Sequence, residues 1–152
     1  MIGWRVGWIA GPRRVVEDAG WAHVYNTTTQ VGLARTAGVV ALRGDQAHVG
    51  ECVAELERRR DLILESLPGW PFVRPAGGWS MLLDFAAMGF EAPEASQLLL
   101  EQSAIAATAM VGWGGEVAAR YVRFVYSAES LDRLATLPER VAGTTLAAAR
   151  SR

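Results

Sequence analysis

The 152 residues, 51% of them hydrophobic, are enough to bury a core of roughly one domain. A formal net charge of −1 gives no basic surface for nucleic acid, and a single cysteine, Cys52, excludes an internal disulfide or a cysteine-built zinc site. Apolar runs are short and broken by glycine, proline or charge, so no membrane span is expected and a cytoplasmic location follows.

In chain order, Gly3-Trp4-Arg5-Val6-Gly7-Trp8-Ile9-Ala10-Gly11-Pro12 reads as a strand. Trp4, Val6 and Trp8 fall on one face, and Arg5 stands between two glycines on the other. That spacing clears room around one guanidinium and suits a phosphate, although an arginine reaching a surface carboxylate explains it as well. Pro12 opens a first helix carrying Val15, Val16, Ala19 and Ala22, interrupted at Gly20. Asn26 or Thr27 offers an N-cap to a second helix, Thr28 to about Leu42. From Asp45 to Leu67 the positions Val49, Cys52, Val53, Leu56, Ile63, Leu64 and Leu67 trace one helical stripe, which places Cys52 in the core. The run Arg58-Arg59-Arg60, interleaved with Glu55, Glu57 and Asp61, reads as a solvated face.

Pro68-Gly69 ends that helix, and short strands are expected over Trp70 to Arg74 and Trp79 to Phe85, separated by Pro75-Ala76-Gly77-Gly78. Pro93 starts a helix running to about Ser103, and Ala104 to Met110 reads as a buried strand before the loop Gly112-Trp113-Gly114-Gly115. Tyr121 to Tyr126 is a strand, after which Ser127 caps a helix that is reorganised at Pro138. Alternating strands and helices predict an α/β arrangement, a small mixed sheet with packed helices.

Within Tyr121 to Tyr126, alternation sets Val122, Phe124 and Tyr126 on one face and Arg123 on the other, with Arg120 opposite Arg123. A guanidinium among apolar neighbours needs an anion, which is either a structural carboxylate or a ligand. His23 and His48 have no metal-ligand spacing, and neither a serine-hydrolase elbow nor a phosphate loop or dinucleotide fingerprint occurs.

Four stretches in order, the opening decapeptide, Arg59-Arg60-Asp61, Pro75-Ala76-Gly77-Gly78-Trp79 and Tyr121-Val122-Arg123-Phe124, resemble the C-terminal portion of class I/II aminotransferases, fold-type-I enzymes that use pyridoxal 5'-phosphate (PLP). The resemblance implies that residues 1–43 are a remnant of the large cofactor domain with its linking helix, and that 44–152 are the small C-terminal α/β domain. Trp4, Trp8 and Trp21 would then lack their usual partners. By the same resemblance Arg5 contacts the PLP phosphate, Arg123 grips the substrate α-carboxylate, and the Gly77-Gly78 turn lies near the substrate entrance. Trp113 stands where many members have a proline–glycine turn; it either shapes a side-chain pocket or packs beneath the loop.

The family's Schiff-base lysine would precede Met1, and all fifteen basic residues of this chain are arginine. A guanidinium stays protonated and forms no Schiff base, which leaves the α-amino group of Met1 as the only other primary amine. The expected function is therefore part of an enzyme that moves an amino group between an amino acid and a 2-oxo acid, with no catalytic residue and no metal ligand in this chain and no activity alone. Its expected partners are a second copy of itself or a complementary N-terminal chain, without nucleic acid or membrane. The alternative is a non-catalytic, aminotransferase-like binding or assembly module.

Overall fold

The computed structural model describes residues 2–150, so Met1 and its α-amino group lie outside the described residues. The chain divides into two compact units, Met1–Gly50 and Glu51–Arg152. The division falls inside a helix, Ala47–Ser66.

In the first unit a 3-10 turn, Ile2–Trp4, leads into an irregular segment that reaches Pro12. The strand expected over Gly3 to Pro12 is not formed. A strand needs a neighbour for its amide and carbonyl groups, and none is paired with this segment; Arg5 also takes φ 49°, in the left-handed region, which ends the alternation. Helix α1, Arg13–Thr27, starts after Pro12 and runs through Gly20 without a break. Thr28 closes α1 rather than opening the next helix, with φ 59° and its amide donating to the Val24 carbonyl at 2.8 Å. In helix α2, Gly32–Arg43, a Cβ at Gly38 would stand 3.1 Å from Val6 Cγ1, a tight contact that Val6 would have to relieve by a small shift. Ala34 is the one buried residue among those described in this unit, and Trp4, Trp8 and Trp21 are exposed.

Helix α3, Ala47–Ser66, carries the stripe that periodicity indicates, but the core begins only at Leu56. Ile63 and Leu67 are buried, while Val49, Cys52 and Val53 are exposed, so Cys52 is not a core residue. A helical stripe shows which face is apolar; how far along it the packing extends depends on the elements laid against it.

The arginine run is likewise only partly a solvated face, because the side chains of Arg59 and Arg60 are largely buried and only that of Arg58 is exposed. Arg59 donates to Glu55 at 2.9 Å and to the carbonyls of Tyr126 and Ser127. Arg60 makes a forked contact with Asp61, at 2.8 and 3.0 Å, and Arg74 reaches the same carboxylate at 3.0 Å. Hydrogen bonds from Arg58 to Glu55 and from Arg60 to Asp61 hold both carboxyls below their ordinary range. These groups therefore add stability above the pKa of the unfolded carboxyls, about pH 4, which is lost as pH falls through their lower folded values.

The second unit is built on a four-stranded sheet, β1 Phe72–Val73, β2 Ser80–Asp84, β3 Thr108–Ala109 and β4 Tyr121–Val125, in the order β1-β2-β4-β3. All three pairings are antiparallel, which corrects the mixed sheet expected from strand–helix alternation. Phe72, Met81, Leu83, Ala109, Val122 and Phe124 face the core. Val73, Ser80, Leu82, Asp84, Thr108, Tyr121, Arg123 and Val125 form the open face.

Helix α4, Ala92–Ser103, has Pro93 in its first turn and packs on β3 and β4, with Ala92, Ala95 and Leu99 buried. A one-turn helix α5, Gly115–Ala118, precedes β4. Three short helices complete the layer: α6 Leu131–Ala135, α7 Leu137–Val141 and α8 Thr145–Arg150. Ser130, not Ser127, caps α6, accepting from the Arg133 amide at 3.2 Å, and Pro138 stands in the first turn of α7.

Ile63→Ala is expected to lower unfolding stability by about 2 to 5 kcal/mol in urea denaturation, because it empties a site 1% exposed. Cys52→Ala and Val53→Ala, in the exposed half of α3, should each stay within about 0.5 kcal/mol.

Candidate functional site

Position 123 is fixed by register. On the open face Arg123 is flanked by Leu82 of β2 and Thr108 of β3, while Val122 and Phe124 are held in the core. Its guanidinium carbon lies 4.8 Å from the ring centroid of Trp113 and 5.7 Å from that of Trp79. Both distances fall within the range where a cation is attracted to an indole face. Arg123 makes no ion pair among the described residues, and its Nε is buried without a hydrogen-bond partner. A buried donor left unmatched costs about 1 to 3 kcal/mol, a cost that a hydrogen-bond acceptor at this nitrogen would remove.

Arg120 is the contrast. Its Nε donates to Asp84 Oδ1 at 2.8 Å and its Nη2 meets Oδ2 at 2.5 Å, a forked contact that neutralises the charge. Asp84 pairs with Tyr121 and shares the open face with Arg123, so the expectation that Arg120 acts on the opposite face is not met. Residue 120 precedes the strand, where alternation no longer governs direction. Asp84 also accepts the Ala87 amide at 3.3 Å, capping the 3-10 turn Phe85–Met88.

Both indoles sit on fixed backbone. Tyr126, buried at the end of β4, donates its amide to the Trp79 carbonyl at 3.1 Å and its hydroxyl to the Gly78 carbonyl at 3.1 Å. Gly78 has φ 90°, a conformation that favours glycine. Trp113 follows Gly112, with φ 81°, and donates its amide to the Met110 carbonyl at 3.1 Å. Burial pushes the Tyr126 phenol above its usual pKa.

Arg5 belongs to the first compact unit and Arg123 to the second. Arg5 is exposed, and its carbonyl accepts from Gln30 Nε2 at 2.7 Å. A Cβ placed at Gly3 or Gly7 would meet nothing within 4 Å, so the glycines beside Arg5 do not mark a filled cradle. Two cavities of about 150 Å³ lie in the second unit, one between α3 and the Gly77-Gly78 turn, the other beside Ile105 and Phe124; Arg123 lines neither. Among the described residues no group of three or more His, Cys, Asp or Glu is placed to hold a metal, and no helix is long and apolar enough to cross a membrane.

Comparison with known proteins places this geometry. The family described as aminotransferase class I and II matches residues 1–137. The chain belongs to that family. It is 31% identical over 144 residues to an aromatic-amino-acid aminotransferase of Thermococcus litoralis, covering 88% of this chain and 37% of that one. It is also 31% identical over 149 residues to an aspartate aminotransferase of Geobacillus stearothermophilus, covering 93% and 37%. Among solved structures, a Thermus thermophilus aspartate aminotransferase mutant superposes with a TM-score of 0.79 at 31% identity, covering 93% of this chain and 39% of that one. The chain thus spans little more than a third of the length of the relatives it matches.

Aminotransferases of this family are PLP-dependent in general. The described residues do not by themselves fit that group: the chain holds no lysine to supply a Schiff-base amine, and Arg5 is a lone exposed cation beside open space.

Alternation separates Arg123 from the buried Val122 and Phe124, but it does not show the two indole neighbours of Arg123 or the pairing of Arg120 with Asp84. These contacts join residues 36 to 44 positions apart or cross a loop, and strand register brings them together. Tyr126→Phe is expected to cost about 0.5 to 1.5 kcal/mol, because the Gly78 carbonyl loses its donor. A phenol whose folded pKa is raised adds stability below about pH 10 that is lost as pH rises. The alkaline loss of stability, followed by circular dichroism, should therefore be shallower in the Phe variant.

Proposed function

We propose that this chain is the C-terminal portion of a PLP-dependent aminotransferase that moves an amino group between an amino acid and a 2-oxo acid, and that Arg123 anchors the substrate carboxylate. Residues 1–43 act as the remnant of the large cofactor domain with its linking helix, and 44–152 as the small domain. The observation that carries the reading is the uncommitted guanidinium of Arg123 on the open face of the sheet, in a chain of this family, beside an Arg120 already neutralised by Asp84. A planar fork binds a carboxylate through two parallel hydrogen bonds and fixes its orientation, which is the contribution of this chain to the reaction.

Arg5 is the phosphate contact in the assembled enzyme, and the Schiff-base amine comes from outside these residues. The exposed Trp4, Trp8 and Trp21 of the first unit support docking against further polypeptide, either a complementary N-terminal chain or the rest of the enzyme within a homodimer. A cytoplasmic location belongs to the same reading.

The chain alone, mixed with PLP and reduced with borohydride, should show no stoichiometric adduct by mass spectrometry and no transaminase activity. An adduct on an active protein would overturn the reading. In a polypeptide extended upstream to the length of the relatives, Arg123→Lys should lower kcat/KM for amino and oxo acids alike, with PLP binding retained. Breaking a forked, partly desolvated pair costs roughly 2 to 5 kcal/mol, a loss on the order of thirtyfold to several thousandfold. Unchanged kinetics would remove Arg123 from the site.

A further inference from the structure

We propose that Trp79 and Trp113 form an aromatic bracket that positions Arg123 and wall its site with apolar surface, so that the carboxylate it accepts belongs to a ligand with an aromatic or large apolar side chain rather than an acidic one. This rests on Arg123 acting as a carboxylate anchor.

The bracket draws on both edges of β4. Trp79 immediately precedes β2, the neighbour of β4 on one side, and Trp113 lies in the loop that leads from β3, its neighbour on the other. The guanidinium carbon is 5.7 Å from one ring and 4.8 Å from the other, so each indole meets the cation at contact range. An arginine is weakly hydrated and tolerates such a setting where a lysine ammonium does not. Nε is buried and unpartnered, so the terminal nitrogens are what remains to meet a carboxylate.

The rings are anchored through backbone and glycine turns, not through their own polar atoms: Trp79 by Tyr126 and Gly78, Trp113 by Met110 and Gly112. Both remain about half exposed, 50% for Trp79 and 61% for Trp113, which leaves indole surface free for a side chain extending from a bound carboxylate. Among the described residues of the sheet's open side, no second arginine stands uncommitted beside Arg123. Arg120, the other arginine on the sheet's open side, is already forked onto Asp84.

Two carboxylate probes, 3-phenylpropionate and succinate, separate this from the anchoring role itself. Each is titrated into the 152-residue chain while the Arg123 Nε–H resonance and tryptophan fluorescence are followed. In the unaltered chain 3-phenylpropionate should bind roughly threefold to tenfold more tightly than succinate, the range expected of one aromatic contact. Trp113→Leu should erase that preference and move the Nε–H resonance, which the rings shift by their currents; Trp113→Phe should restore both in part, and Trp79→Leu should move the resonance. Both positions are exposed enough for these changes to leave the fold intact, checked by an unchanged melting temperature.

Equal or tighter binding of succinate, or a resonance indifferent to both leucine variants, overturns the bracket while the anchor stands. If binding of both probes survives Arg123→Gln, the anchor itself is wrong. Absence of binding by either probe defeats both.

Discussion

Five consecutive residue pairs join β2 to β4, from Ser80 opposite Val125 to Asp84 opposite Tyr121, and this antiparallel register is the constraint on which the second unit depends. A slip of one residue would exchange the faces of the strand that moves: in β2 it would expose Met81 and Leu83 and drive Asp84 into the core, and in β4 it would expose Val122 and Phe124 and drive Arg123 inward. The cost of burying those charges protects the register as strongly as the gain from burying the apolar set. Tyr126 extends the same pairing by one step and draws Gly78 and Trp79 into line. The side chains around Arg123 are thus consequences of one strand alignment.

The arginines of the second unit show how differently one side chain is used. Arg59 and Arg60 carry their charge inward on α3, where backbone carbonyls at the end of β4 and the carboxylate of Asp61 satisfy them. Arg120 is matched by a single aspartate through both oxygens. Arg123 is met by two aromatic rings, which attract a cation without cancelling its charge or occupying its hydrogens. A matched guanidinium has its charge answered within the fold, whereas one held by rings keeps its donors uncommitted.

The two compact units differ in how far they bury what they carry. The second surrounds Ile63, Phe85, Leu99, Val122 and Tyr126 with helices on one face of the sheet, each nearly inaccessible. In the first, α1 and α2 expose Trp21, Tyr25, Leu33 and Val40, and the segment before them exposes Trp8 at 72%. Apolar surface of this kind is uncommon on a unit that stands by itself. It agrees with a chain spanning little more than a third of its relatives' length.

Much of this protein was legible in residue order. Pro12 and Pro93 open helices, Pro138 marks the break between α6 and α7, Gly69 ends a helix, and alternation in Tyr121 to Tyr126 separates the core residues from Arg123, because proline, glycine and the two-residue period act through the local backbone. The absence of lysine, and hence of a Schiff-base amine within these residues other than that of Met1, is a property of composition alone. Tertiary structure decided what depends on a neighbour distant in sequence. The opening decapeptide has the alternation of a strand but no strand to pair with, and Cys52 keeps its place on the apolar stripe of α3 where nothing covers it. Arg120 turns to Asp84 because register, not periodicity, puts that carboxylate within reach, and Trp79 and Trp113 meet Arg123 only once β2 and β3 have closed on either side of β4. Local preference fixes the direction of a chain; whether a face is covered or a charge is answered is settled by packing between segments that the sequence does not place side by side.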